Sequence, residues 1–150
     1  MMSFFREQEL TFDHVKSITR GMHALAKVDG LHERELSLIR EFYDSCARAG
    51  DPSVDEIVSS GFDIAEAKRL FATRELALLF VKNMMLLAFA DGTYGRDEDT
   101  SIRSWAKELG LGADDVTGLH EATKEFLLGS LAHVENVAAL RDVAKKLDLT

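Results

Sequence analysis

The stretch TRELALLFVKNMMLLAFADG, residues 73–92, indicates the fold class of this protein. It is apolar almost all round a helical projection, as expected of a helix that is surrounded by other helices. Its apolar run, from Leu76 to Ala90, is interrupted by Lys82 and Asn83 and falls short of the roughly 20 residues that a bilayer requires. The stretch therefore predicts a central buried helix, about Thr73 to Ala90, and not a membrane span.

A comparable helix precedes it in the stretch FDHVKSITRGMHALAKVDG, residues 12–30. Apolar residues recur there at three- and four-residue spacing and predict a helix from Phe12 to about Val28. Both stretches end in Asp-Gly, and placing Asp29-Gly30 on Asp91-Gly92 aligns four apolar pairs at one constant offset: Ile18 with Phe80, Met22 with Met84, Leu25 with Leu87, and Val28 with Ala90. We therefore interpret the two stretches as copies of one unit.

The alignment continues beyond each Asp-Gly pair. Three further positions match when the first turn is taken as one residue shorter: Glu35 with Glu98, Ile39 with Ile102, and Phe42 with Trp105. Each unit then consists of an apolar helix, an Asp-Gly turn, a glutamate and an amphipathic helix. Because neither unit can bury its apolar face alone, we expect the two to pack together around a pseudo-twofold axis.

The chain of 150 residues has the size and composition of one domain, with 46% hydrophobic residues and a single proline. We predict an all-α fold, a compact bundle of about seven to eight helices in one domain over residues 1–150. Its segments are repeat 1 at about 12–48, linker helices at 52–71, repeat 2 at about 73–110 and C-terminal helices at 114–147. In the linker, Pro52 suits the first turn of one short helix, and Asp63 suits the N-cap of the next.

The balance of charges limits the partners of this protein. With 26 acidic and 18 basic residues, the formal net charge is -8, which repels nucleic acid and anionic headgroups. Cations or basic surfaces fit better, and we expect a protein partner. The one cysteine, Cys46, cannot form an internal disulfide, and no secretory segment opens the chain, so we expect a cytoplasmic location.

The sequence does not match the familiar catalytic and metal-binding motifs. An EF-hand fails at the second turn: counting from Asp91, Arg96 stands where a glycine is needed and Ile102 where a bidentate glutamate is needed. The spacing of the histidines does not suit zinc, and there is no phosphate-binding loop after a strand and no nucleophile elbow. We therefore expect a protein that is not an enzyme.

Both units share a pattern of a small residue, Asp-Gly, a short polar stretch and an acidic residue that opens a helix. The second copy carries Ala90-Asp91-Gly92, Asp97-Glu98, Ile102 and Leu109-Gly110-Leu111, and the first copy carries Val28-Asp29-Gly30, Glu35 and Ile39. This pattern, over residues 12–127, resembles the TerB-like, tellurite-resistance family. The resemblance implies a compact helical bundle with two pseudo-symmetric halves and a non-catalytic role in stress response, alone in tellurite-resistance clusters or fused to other domains.

The resemblance also implies a divalent-cation site in the acidic turns, with Ca²⁺ or Mg²⁺ as the candidate cofactor. The implied metal ligands are Asp91, Asp97 and Glu98 in the second copy and Asp29 and Glu35 in the first. The first copy departs from the family pattern, because its turn is shorter and has His32 and Arg34 where acidic or small residues are common. Metal binding is therefore less expected there.

The position of the two aspartates leaves two explanations open. Asp29 and Asp91 are predicted at the C-terminal ends of helices, where the helix dipole disfavours an acidic side chain by about 0.3 to 1 kcal/mol. Either each aspartate caps N–H groups of the following helix, or Asp91 with Asp97, Glu98 or Asp99 surrounds a cation with oxygen ligands. The first explanation fits a metal-independent protein-interaction adaptor, and the second fits a metal-responsive stress-response module.

Overall fold

Seven α-helices make up the part of the chain that the computed structural model describes, residues 10–28, 30–90 and 94–131. In chain order they are α1 (Phe12–Val28), α2 (Glu33–Cys46), α3 (Val54–Val58), α4 (Ile64–Leu70), α5 (Arg74–Phe89), α6 (Arg96–Glu108) and α7 (Ala113–Leu131). These ranges contain no β-strand, which confirms the all-α prediction. The predicted last helix, about Val134 to Leu147, lies outside the described residues.

Helix α5 forms the centre of the bundle. Twelve of its 16 residues are buried, among them Lys82 and Asn83, and α1, α2, α6 and α7 all pack against it. Its N-cap is Thr73, whose hydroxyl accepts the N–H of Leu76 at 3.2 Å. The predicted central helix is therefore confirmed to within one residue at each end. No helix in the described ranges is long and apolar enough to cross a membrane.

Helices α1 and α5 are in direct contact. Gly21 of α1 permits a close approach, because a Cβ atom there would lie 3.0 Å from Cζ of Phe80 and 3.1 Å from Cε of Met84. Three of the aligned apolar pairs are fully buried: Ile18 with Phe80, Met22 with Met84, and Leu25 with Leu87. The fourth pair lies at the edge of the core, where Val28 is 43% exposed. The burial of these pairs follows from the contact between α1 and α5, and the repeat itself stays a prediction.

The two short linker helices are held against α1 by polar contacts. Arg20 donates from Nε to the carbonyl of Ile57 in α3 at 2.8 Å, and its guanidinium lies 3.8 Å from Glu66 in α4. His14 donates from Nε2 to the carbonyl of Leu70, at the end of α4, at 2.8 Å. These bonds fix the linker to the first predicted unit.

One prediction for the linker is wrong and one is confirmed. Pro52 does not lie in the first turn of α3, because Ser53 is the N-cap and its hydroxyl accepts a backbone N–H from within that helix. The carbonyl of Pro52 instead accepts the hydroxyl of Tyr43 at 2.5 Å. Asp63 is the N-cap of α4, as predicted, and accepts the N–H of Ala65 at 2.9 Å.

Candidate functional site

The predicted metal ligands fall into three groups. Asp29 and Asp91 lie outside the described residues. Glu35 and Glu98 are almost fully buried, with 0% and 1% of their surface exposed. Asp97, the neighbour of Glu98, is exposed to solvent at the start of α6. The described ligands therefore do not form one open cluster of carboxylates.

The first turn contains two residues in the left-handed conformation and ends at a buried glutamate. Gly30 has φ 91° and Leu31 has φ 57°, and the N–H of Leu31 donates to the carbonyl of Ala26 at 2.9 Å. Helix α2 then begins, and Glu35 is its third residue. Its Oε1 accepts the N–H of His32, the N-cap residue, at 3.4 Å. The carboxylate thus pairs with an amide that the helix itself leaves without a partner.

The helix after the second turn, α6, begins with the same kind of glutamate cap. Glu98 is the third residue of α6, and its Oε1 accepts the N–H of Gly95, the N-cap residue, at 3.2 Å. A Cβ atom on Gly95 would lie 3.1 Å from that oxygen, so the approach of the carboxylate favours glycine at this position. Because Gly95 has no side chain to return a hydrogen bond, the cap depends on the glutamate alone.

A third acidic side chain occupies the same position in α7. Asp115 accepts the N–H of Gly112 at 2.9 Å and a guanidinium N–H of Arg74, at the start of α5, at 2.6 Å. The bond from Arg74 is the main cause that lowers the pKa of Asp115 to about 2, and the bond from Gly112 is the second. The sequence predicts that Asp114 or Asp115 opens this helix; the helix begins at Ala113, and Asp115 is the residue that caps it.

The three consecutive carboxylates at the start of α6 differ in their surroundings. Glu98 caps the turn, whereas Asp99 accepts Nε–H of Arg103 in an ion pair of 2.9 Å. Asp97 is exposed. Within the described residues, no group of three or more His, Cys, Asp or Glu side chains is placed to hold a metal ion. The aspartates of the two Asp-Gly pairs are not among those residues, so the ligand set stays a prediction.

An aromatic cluster joins the second turn to α5 and α7. The ring of Tyr94 lies 4.6 Å from that of His120 and 5.0 Å from that of Phe89, and the last two are 5.3 Å apart. The Tyr94 hydroxyl is buried near Asp99, although no hydrogen bond of good geometry joins them. Burial is the main cause that raises the pKa of Tyr94, and the Asp99 carboxylate adds to it. The cluster packs the end of the turn against α7.

Beside this cluster a cleft of about 410 Å³ opens between α6 and α7. Its lining in the described residues includes Arg96, Arg103, Thr117 and His120, which all end in polar or charged groups. Neither the cleft nor the aromatic cluster was expected from the sequence. Both are formed by residues from separate helices that fit no short motif, so only their positions in the fold bring them together.

Comparison of the chain with protein-family models, with curated proteins and with solved structures gave no significant match. The likeness to the TerB-like family therefore rests on the sequence motifs alone.

Proposed function

We propose that this protein is a non-catalytic helical module of the TerB-like, stress-response type that acts by binding another protein. The surface that we assign to this role is the second turn with the start of α6, where Asp97 is exposed. The observation that carries the proposal is the buried carboxylate of Glu98, which caps the turn through the N–H of Gly95 at 3.2 Å.

The start of α6, which is capped by its own glutamate, has a defined shape before any ligand binds. Glu98 is 1% exposed and Asp99 is paired with Arg103, so both carboxylates already act within the protein. A preformed surface loses little conformational freedom when a partner binds. These features favour an adaptor whose binding surface forms without metal. The net charge of -8 favours a partner with a basic surface.

A divalent cation is the second candidate ligand of the same turn. Ca²⁺ takes roughly six to eight oxygen ligands, and residues 91–99 include four acidic side chains. Asp97 is exposed next to Glu98, and Asp91 belongs to the same turn in the sequence. Ca²⁺ or Mg²⁺ bound by these three residues would make the partner surface metal-responsive.

Partner binding in the presence and absence of metal tests the proposal. The immobilised protein captures a partner from a lysate of its source cells, and the affinity of the purified partner is then measured in chelator and in millimolar Ca²⁺ or Mg²⁺. Asp97→Lys reverses a charge on the assigned surface, and Glu41→Lys makes the same change at an exposed position of α2. We expect Asp97→Lys to weaken binding about tenfold or more and Glu41→Lys to leave it unchanged.

Two outcomes would change the assignment. Equal affinities of Asp97→Lys and Glu41→Lys would remove the second turn from the partner surface. An affinity that requires Ca²⁺ or Mg²⁺, and that Asp91→Asn abolishes, would replace the adaptor by the metal-responsive module.

A further inference from the structure

The cleft between α6 and α7 contains an arginine that is oriented by one carboxylate. Arg103 donates its Nε–H to Oδ2 of Asp99 at 2.9 Å, one turn earlier on the same helix, and its side chain is 40% exposed. Within the described ranges, this is the only hydrogen bond or ion pair of Arg103. Its terminal nitrogens, Nη1 and Nη2, therefore keep their N–H donors for a ligand.

Three more donor side chains line the same cleft. Arg96 and Thr117 are exposed, and the imidazole of His120 is half-buried against the Tyr94 ring. The lining thus contributes two guanidinium groups against one carboxylate, that of Asp99. With histidine neutral, the lining residues carry a net charge of +1, whereas the chain as a whole carries -8; the carboxylate of Glu121 lies beside the lining, 3.8 Å from Nδ1 of His120.

We propose that this cleft binds an anionic group with two or more oxygen atoms, a carboxylate or a phosphate, on a small ligand. The planar guanidinium of Arg103 matches two such oxygens side by side, and Arg96 adds a second positive charge. Asp99 is a positioning residue, because its bond to Nε fixes the plane of that guanidinium. A volume of about 410 Å³ suits a ligand of metabolite size. Gly95 and Arg96 belong both to this cleft and to the surface assigned to a protein partner, but the anion proposal rests on the arginines and not on that partner.

NMR titration of the full chain tests this proposal. Inorganic phosphate and succinate are added separately at constant ionic strength, with sodium chloride as the reference, and the Arg103 Nε–H and His120 ring signals are followed. We expect saturable shifts of these signals with at least one of the two anions and none with chloride. Saturation by phosphate alone assigns a phosphate group to the ligand, and saturation by succinate alone assigns a carboxylate.

Matched variants separate a specific site from general electrostatic attraction. Arg103→Gln removes a charge from the cleft, and Arg40→Gln removes the same charge from an exposed position of α2. We expect Arg103→Gln to weaken anion binding, read at His120, about tenfold or more and Arg40→Gln to leave it within about twofold. Arg96→Gln serves as a second test if Arg103→Gln does not fold.

Two results would overturn the proposal. One is the absence of a saturable shift with either anion in the wild-type protein. The other is a loss of affinity in Arg40→Gln as large as that in Arg103→Gln, because the attraction would then come from net charge and not from the cleft.

Discussion

Acidic side chains at the third position of a helix recur in this protein. Glu35 in α2, Glu98 in α6 and Asp115 in α7 each accept the backbone N–H of the residue before the helix. The first N–H groups of a helix lack partners within it, and the helix dipole favours negative charge at that end. Carboxylate and amide therefore satisfy each other. A metal ligand needs the same chemistry, an oxygen atom beside a turn, which is why the sequence leaves the two roles open.

Alkaline titration tests the burial of the two tyrosine hydroxyls. Burial is the main cause that raises the pKa of both Tyr43 and Tyr94, and nearby carboxylates add to it. Phenols in the unfolded chain ionise near a pKa of about 10. The raised pKa values of the folded protein therefore leave its stability unchanged below that pH and lower the free energy of unfolding as the pH rises above it. We expect Tyr43 to ionise above its ordinary pKa and Tyr94 to ionise only as the protein unfolds. Ionisation near pH 10 in the folded protein would contradict the buried positions.

At the scale of helices, the contact between α1 and α5 has little room for adjustment. A Cβ atom on Gly21 would meet the ring of Phe80 at 3.0 Å. That ring cannot move away easily, because the rings of Phe62, Phe71 and Trp105 lie 5.7, 5.0 and 6.4 Å from it. Packing at Gly21 should therefore outweigh the preference of helices for alanine.

Two glycine substitutions in helices test this packing. Overpacking costs about 1–3 kcal/mol, whereas alanine is favoured over glycine in a helix by about 0.8–1 kcal/mol. We expect Gly21→Ala to lower the free energy of unfolding in urea by about 1 kcal/mol. Gly118→Ala in α7 is the control, where a Cβ atom meets no described atom within 4 Å, and should raise it by about 0.5–1 kcal/mol. Equal stabilisation by both would contradict the close contact of α1 and α5.

The helices could be predicted from the sequence because their signals are local. Helix α1 begins and ends at the predicted residues, and α4 ends one residue before the predicted Phe71. The periodicity of α1 and the Asp63 cap of α4 are signals that lie within or next to each helix. For α2 the sequence pattern predicts about Glu33 to Arg48, whereas the helix ends at Cys46, because the backbone is already extended at Ala47. No breaking residue marks that point in the sequence.

At the scale of the whole molecule, the start of α6 and the cleft lie where α5, α6 and α7 meet. The ring of Tyr94 contacts Phe89 at the end of α5 and His120 in α7, so it connects the turn to the wall of the cleft. Contacts between such distant segments leave no periodic signal in a sequence. The sequence could predict the carboxylates of the turn as caps or metal ligands. It could not predict the burial of Glu98 or the presence of the neighbouring cleft.

Glu98 caps the second turn through the N–H of Gly95, and we infer that this cap needs no metal. The most direct test is the free energy of unfolding in urea of wild type, Glu98→Gln and Glu98→Ala, measured in chelator and in millimolar Ca²⁺. Glutamine keeps an oxygen that can accept the Gly95 N–H, whereas alanine removes it. We predict that Glu98→Ala lowers the free energy of unfolding by about 1–2 kcal/mol in chelator and that Glu98→Gln lowers it by less than half as much. We also predict that Ca²⁺ leaves the difference between each variant and wild type unchanged. The opposite result would be that all three proteins have the same free energy of unfolding in chelator and that both variants are less stable than wild type only in Ca²⁺. Glu98 would then be a metal ligand and not a metal-independent cap.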